Sequence, residues 1–275
     1  LEFRRVLFRS NYMIFLQHEK GWDNMLTKTR QKEILKLLEN RGSVTLQELK
    51  DHLNTSESTI RRDLNTLDAQ GKLVKVFGGA VAADNMSIRD EQVSRREEKN
   101  LEEKRLIARY AASLIQDDDF VYLDAGTTTG CMLDYISDAT TAVFVTNAPS
   151  HAQKLARKGM EVILIGGRLK QSTEAVVGEE ACRQIEKFNF SLGFLGSNGV
   201  SERSGFSTPD QDEAMVKKRA IERIHRCFVL CDHTKFYKVS PISFAKLEDA
   251  VVLTDSAPQG NFQEMPNIVE ISEDE

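Results

Sequence analysis

Apolar positions recur at helical spacing three times in succession near the start of the chain. Ile34, Leu37 and Leu38 form the first stripe, and Gly42 follows Arg41 as a stop signal, which predicts a helix from Thr29 to Arg41. Thr45-Leu46-Gln47-Glu48 has the form of a capping box: the Thr hydroxyl takes an orphan amide and the Glu reaches back. The helix it opens buries Leu46, Leu49 and Leu53 and stops at Asn54-Thr55. Ser56 caps a third helix with Ile60, Leu64 and Leu67 on one side and Ser58, Thr59, Arg61, Arg62 and Asn65 on the other. The period then drops to two. Lys72-Leu73-Val74-Lys75-Val76, the Gly78-Gly79 pair and a second β-prone run predict a hairpin.

From Lys104 onwards helical and strand patterns alternate. Ile107–Ile115 reads as an amphipathic helix and Asp119–Asp124 as a strand, and a helix carrying Met132, Leu133 and Ile136 follows. Further strands are expected at Ala142–Thr146, Glu161–Ile165, Leu192–Leu195, Cys227–Cys231 and Ala250–Thr254. This alternation predicts an α/β domain with a mostly parallel sheet covered on both faces. Between the two patterns, Asp84–Lys104 is dense in alternating charge and reads as an exposed linker, partly helical through i,i+4 pairs. The expected division is a helical and hairpin module over residues 25–83, the linker, and an α/β domain over 105–275. Leu1–Asn24 has no apolar run of signal-peptide length and reads as a non-native or disordered extension before Met25.

Composition adds a caution. The chain has 275 residues, 42 acidic against 37 basic side chains and a net charge of −5, which argues against a nucleic-acid partner. The average conceals a split, because residues 25–83 carry 10 Lys/Arg and 7 Asp/Glu whereas residues 84–275 carry 23 and 32. A module of net +3 therefore precedes one of −9. No stretch approaches a membrane span, and Cys131, Cys182, Cys227 and Cys231 stand at no metal-binding spacing, so no metal or cofactor is expected. Few cysteines and no export signal point to a reducing cytoplasm.

Two short helices joined by a tight turn, the second with an Arg-rich outer face, then a hairpin, form a winged helix-turn-helix pattern. A surface arginine pair is usually only a solvated helix face. Here three helices, their caps, the wing and local positive charge act together, which favours DNA. Side chains near the start of the third helix (Ser56, Ser58, Thr59, Arg61, Arg62, Asn65) can reach base edges, and Lys72 and Lys75 can hold phosphates.

In the α/β part, small polar residues gather where strands end, which is where ligands sit on such sheets. Asp124-Ala125-Gly126-Thr127-Thr128-Thr129-Gly130 joins a strand to a helix, so amides and hydroxyls converge on one point. Thr146-Asn147, Gly166-Gly167-Arg168 and Gly196-Ser197-Asn198-Gly199 repeat the theme, and Asp232-His233-Thr234-Lys235 adds a cation. One shared anion pocket is expected. Its carboxylates (Asp124, Asp210, Asp212, Glu213) leave an enzyme, a sugar-phosphate isomerase or transferase with a DNA-binding appendage, as the alternative.

Ser56-x-x-Thr59-Ile60-Arg61-Arg62-Asp63-Leu64, Gly71-x-Leu73 and Gly78-Gly79-Ala80 resemble the DeoR/GlpR family of bacterial sugar-operon repressors. So do Asp124-x-Gly126-Thr127-Thr128, Gly205-Phe206-Ser207-Thr208-Pro209-Asp210 and Asp232-His233-Thr234-Lys235. Phe77 stands where that family usually has His. The resemblance implies a DNA-binding repressor, not an enzyme. Its second domain would be similar in fold to ribose-5-phosphate isomerase and coenzyme A transferases and would bind a phosphorylated sugar. Carried over, Thr127–Thr129 would hold the phosphate with Lys235 nearby, Asp124, Asn147, Asn198 and Asp210 would be candidates for the sugar hydroxyls, and Gly126, Thr146 and Gly167 would belong to the same effector-binding site. The match around Gly205–Glu213 and Lys235 most resembles fructose-operon repressors, whose inducer is fructose 1-phosphate, which implies that sugar phosphate as the ligand. Paired half-sites on operator DNA imply a homodimer or homotetramer.

Overall fold

A computed structural model describes residues 27–38, 43–76, 79–82, 92–258 and 260–272, which fall into two compact units divided between Asn85 and Met86. The expected extension, the end of the first helix at Arg41-Gly42 and the Phe77-Gly78 turn lie outside the described residues.

The first unit contains helix α1 (residues 27–38), β1 (Ser43–Thr45), α2 (Leu46–Leu53), α3 (Glu57–Ala69), β2 (Leu73–Val76) and β3 (Gly79–Ala82). Thr45 and Glu48 make the reciprocal capping box, with Glu48 N–H donating to Thr45 Oγ1 at 3.1 Å. β3 lies between β1 and β2, antiparallel to both. A Cβ on Gly79 would stand 2.0 Å from the Val44 carbonyl oxygen, so this close crossing requires glycine. Ile34, Leu38, Leu49, Ile60, Leu64, Leu67 and Leu73 pack into one core.

The second unit opens with α4 (Val93–Glu98) and α5 (Leu101–Ser113). Within the expected linker, residues 84–91 lie outside the described residues, and residues 93–98 and 101–104 are helical and mostly exposed or half-buried, as a partly helical linker would be, except that Lys104 at its end is buried. Alternating charge looks solvent-facing, yet every fourth residue from Lys104 lies on the apolar stripe of α5 with Ala108 and Ala112.

The sheet that follows comprises β4 (Phe120–Leu123), β5 (Val143–Thr146), β6 (Val162–Leu164), β9 (Phe190–Gly196), β12 (Ile224–Leu230), β14 (Val251–Thr254) and β15 (Ile268–Glu270), ordered 15-14-12-9-4-5-6. Every neighbouring pair is parallel. Side chains alternate between two cores, Val121 and Leu123 to one face, Tyr122 to the other. Helices α5, α6 (Thr127–Met132) and α7 (Pro149–Arg157) contribute to the first core, α8 (Glu179–Ile185) and α9 (Gln211–Ile221) to the second. The expected helix through Ile136 ends at Met132, and Leu133 and Ile136 enter the core from the turn beyond it.

Short antiparallel pieces that sequence periodicity does not reveal complete the unit. They are the hairpin β7 (Arg168–Lys170) and β8 (Ala175–Val177), and a sheet of β10 (Gly199–Ser201), β11 (Gly205–Thr208) and β13 (Ile242–Ala245). The chain runs β4, β5, β6 outward, then returns to lay β9 against the other side of β4. The carboxyl ends of β4 and β9 therefore flank a topological switch point, where a parallel sheet opens a crevice for ligands.

Candidate functional site

In the first unit, the outer face of α3 carries Ser58, Arg61, Arg62 and Asn65 in the open, with Thr59 half-buried. The Ser56 hydroxyl caps the helix, accepting from Thr59 N–H at 3.3 Å, and lies 3.0 Å from the Ser58 hydroxyl. Arg61 Nε donates to Glu57 Oε1 at 2.8 Å one turn back. Lys72 is exposed in the turn before β2, and Lys75 Nζ donates to Asn65 Oδ1 at 2.6 Å, joining wing and helix. Behind this face Asp63 is buried and accepts from Arg30 Nε and, at 3.1 Å, from Gln31 Nε2. That contact fixes the third helix against the first and had no role in the sequence reading.

In the second unit, a pocket opens at the switch point. Asp124, just past β4, accepts from the Gly196 amide at 3.0 Å, at the end of β9. It also pairs with Lys217 on α9, whose ammonium donates to the Gly196 carbonyl at 3.0 Å. Asn147 ties three loops together: its Oδ1 accepts from Ala125 N–H at 3.0 Å, and its Nδ2 donates to the Val176 carbonyl at 3.1 Å. Gly126, Thr127 and Thr128 line the pocket where α6 begins, a point at which the first helical amides have no intrahelical acceptor.

Cations surround that turn. Arg96, Lys99, Lys104 and Lys235 line the pocket beside the paired Lys217, against the carboxylates of Asp124 and Glu213. Burial lowers the pKa of Lys104, and the nearby Lys235 ammonium lowers it further. Burial alone would raise Asp232, yet Lys235, Thr234 and Asn100 outweigh it and hold that carboxyl below its usual range. Lys235 Nζ stands 3.5 Å from Asp232 Oδ2.

Of the residues expected in this pocket, Asp124, Gly126, Thr127, Thr128, Asn147, Asn198 and Lys235 line it. The other four serve the framework around it. Thr129 Oγ1 donates to the Asp124 carbonyl at 2.7 Å. Thr146 Oγ1 accepts from Ala148 N–H at 3.1 Å. Gly167 has φ +149° and a Cβ there would meet Val176 and Val177 at 3.0 Å. Asp210 caps α9 and pairs with Lys170 at 3.1 Å. His233 bonds to Asp255 at 2.6 Å.

Arg96, Lys99, Lys104 and Lys217 also line the pocket, at positions that no sequence motif marks. The carboxylates considered for acid–base work are all engaged: Glu213 with Thr173 and Thr208, Asp212 with Arg168, Asp124 with Lys217. Cys227 and Cys231 are buried, which pushes their thiols up to about 12. Among the described residues no group of three His, Cys, Asp or Glu side chains is placed to hold a metal, and no helix is long and apolar enough to cross a membrane.

Two family models match, in the order of the two units: a DeoR-like helix-turn-helix domain over residues 30–86 and a DeoR C-terminal sensor domain over residues 99–256. The chain is 40% identical over 243 residues to an uncharacterized HTH-type transcriptional regulator named FruR from Bacillus subtilis (strain 168), covering 87% of this chain and 96% of that protein. It is 35% identical over 241 residues to the HTH-type transcriptional regulator GlpR of Haloferax volcanii, covering 87% and 94%. A lactose phosphotransferase system repressor of Staphylococcus aureus (strain MRSA252) is 33% identical over 247 residues, covering 88% and 97%. Ribose 5-phosphate isomerase A of Methanocaldococcus jannaschii, at 13% identity, superposes with a TM-score of 0.38 over 50% of this chain and 55% of that one. A helix-turn-helix module joined to a parallel-sheet sensor, matched by both models and by full-length regulators, makes this chain a member of the DeoR family of DNA-binding transcriptional regulators, not an enzyme.

Proposed function

We propose that this protein is a cytoplasmic repressor of a sugar-catabolic operon, released from its operator when a phosphorylated sugar fills the pocket between β4 and β9. The observation that carries the reading is the set of cations around Thr127 and Thr128, above a buried Asp124 at the sheet's switch point. A phosphoryl group needs amides, hydroxyls and ammonium groups converging from several elements, and a sugar needs a fixed carboxylate and amides beside it. Gly126, Thr127, Thr128, Lys104 and Lys235 suit the phosphate, whereas Asp124, Asn147 and Asn198 suit the hydroxyls. The relative named FruR favours fructose as the sugar, the resemblance around Gly205–Glu213 and Lys235 suggests its 1-phosphate as the form bound, and the relative named as a lactose phosphotransferase system repressor favours repression as the sign of control.

Ser58, Thr59, Arg61, Arg62 and Asn65 read the major groove in this scheme, capped by Ser56, while Lys72 and Lys75 hold phosphates. A homodimer or homotetramer supplies paired half-sites. By linkage, the sugar weakens operator binding only as far as it prefers the state that does not bind DNA.

The test is a thermal-shift panel of phosphorylated and free sugars on the full chain, with operator titrations run in parallel. A ligand at about 100 times its Kd should stabilise the protein by ~2.7 kcal/mol. Equal shifts for fructose 1-phosphate and fructose would remove the anion site. Operator affinity indifferent to salt would remove DNA as the partner.

A further inference from the structure

Among the pocket's cations, Arg96 differs in what its nitrogens touch. Nε and Nη2 are both buried from solvent, and neither has a hydrogen-bond partner. A guanidinium nitrogen in that state has given up hydration without replacement, so it marks a place for an acceptor. The pair is also the informative one. Nε and Nη2 lie on the same edge of the guanidinium plane, and their N–H bonds run parallel, which is the fork that grips two oxygens of one oxyanion.

The surroundings hold that fork in place. Arg96 lies on α4, whose final turn is pinned by the buried Lys104, its ammonium donating to the Arg96 carbonyl. At the other end of α4, Val93 N–H donates at 3.3 Å to the carbonyl of Ser172 in the β7–β8 turn. Arg96 is among the residues that line both the pocket at Thr127 and an adjoining cavity bounded by His151, Lys154 and Thr173. No carboxylate of the pocket pairs with it: Asp124 is taken by Lys217, and Glu213 by Thr173, Thr208 and Lys170.

We propose that Arg96 binds the anionic group of the pocket's ligand side-on, through Nε and Nη2. The inference rests on reading the pocket as a phosphosugar site and adds a ligand contact on the first helix of the sensor unit. It gives that contact a consequence, because α4 is the first described element of the sensor after the DNA-binding unit in the chain. Occupancy is then registered on the first described sensor helix in chain order after the DNA-binding unit, and not only within the sheet.

The full chain and its Arg96→Gln and Arg96→Lys variants would be titrated with fructose 1-phosphate, fructose and inorganic phosphate, by calorimetry and thermal shift. Arg96→Gln should weaken fructose 1-phosphate by about tenfold or more and leave fructose unchanged, because a charge-assisted fork is lost. Arg96→Lys keeps the charge but not the fork and should fall between. Without ligand, the Gln variant should melt at or above the wild-type temperature, since an uncompensated buried charge is gone. Equal phosphosugar affinity in wild type and Arg96→Gln overturns the contact, as does a Gln variant that melts lower without ligand and keeps its affinity. A wild type that binds no phosphorylated sugar overturns the pocket reading itself, whatever Arg96 does.

Discussion

Lys217 reaches from α9 across the pocket floor to pair with Asp124, and both side chains are less than a tenth exposed. The pair is more than a local contact. Asp124 also accepts from the Gly196 amide at 3.0 Å and the Lys217 ammonium donates to the Gly196 carbonyl at 3.0 Å. The ends of β4 and β9 are therefore fastened to one helix at the point where the sheet opens.

Breaking such a pair leaves a buried charge without its partner, which costs ~3–5 kcal/mol, whereas replacing both members with apolar groups is far milder. Asp124→Asn and Lys217→Met should each lower the unfolding free energy by that order, and Asp124→Leu with Lys217→Met should recover a large part. Urea unfolding of the four proteins checks this. Single variants within about 1 kcal/mol of wild type would mean the pair holds nothing together.

Asp63 plays the matching part in the DNA-binding unit, with acceptors turned to Arg30 and Gln31 from within the buried face of α3. Asp63→Ala should destabilise that unit by ~1–3 kcal/mol, because the Arg30 and Gln31 donors lose their acceptor. Hydrogen exchange on the full chain separates this from the sensor: amides in residues 27–76 should exchange faster, and those of β4 and β9 should not change. Uniform exchange would place the contact outside the energetics.

Lys104, Lys217 and Asp63 share a pattern that explains what the sequence did and did not reveal. Each is a charged residue on an apolar helical stripe: Asp63 between Ile60 and Leu67, Lys104 four before Ala108, Lys217 between Ala214 and Ala220. Periodicity reports which positions face inward. It is silent on which partner neutralises a charge placed there, because Asp124 and Arg30 lie 93 and 33 residues away. The interruption of the stripe was the available signal.

The seven parallel strands were easier to foresee, at least six of them, since strands covered on both faces are continuous apolar runs such as Phe120–Leu123 and Val251–Thr254. The three-residue strands β7, β8 and β10 are too short for any period to register, and β15 (Ile268–Glu270) is a brief edge. The pocket's loops were legible because Gly, Thr and Asn recur where strands end. Which of them face the crevice was not: Thr128 lines it and Thr129, one residue on, turns its hydroxyl back to the Asp124 carbonyl.

On α3 the exposed Arg61–Glu57 pair is weak, so Glu57→Ala should change stability by no more than ~0.5 kcal/mol while leaving Arg61 in place to act. Arg61→Ala should cost ~1–3 kcal/mol against cognate operator and little against scrambled DNA, if that side chain reads a guanine. Lys75→Ala should weaken both DNAs alike and reduce the salt slope by about one. Competition titrations at several salt concentrations distinguish the two. Loss of discrimination in Lys75→Ala and not in Arg61→Ala would reverse the assigned roles.

His151 supplies a prediction in pH. Burial is the main reason its pKa is lowered from 6.5 to about 4, with Lys154 adding to the effect and Asp124 opposing it, and its Nδ1 has no partner. The folded state holds this imidazole neutral, while an unfolded one takes up a proton below pH 6.5. Between about pH 6.5 and 4 the unfolded chain therefore binds more protons, and stability falls as pH falls, by up to ~1.4 kcal/mol per unit. Below pH 4 both states are protonated and this contribution levels off. Asp210 and Asp232 are held below their usual range, so what they add is lost only at lower pH, beneath this window. His151→Gln should flatten the wild-type slope of the sensor's urea midpoint between pH 7 and 4.5 by ~2–3 kcal/mol across the interval. Parallel profiles for the two proteins would show that His151 charges as easily folded as unfolded.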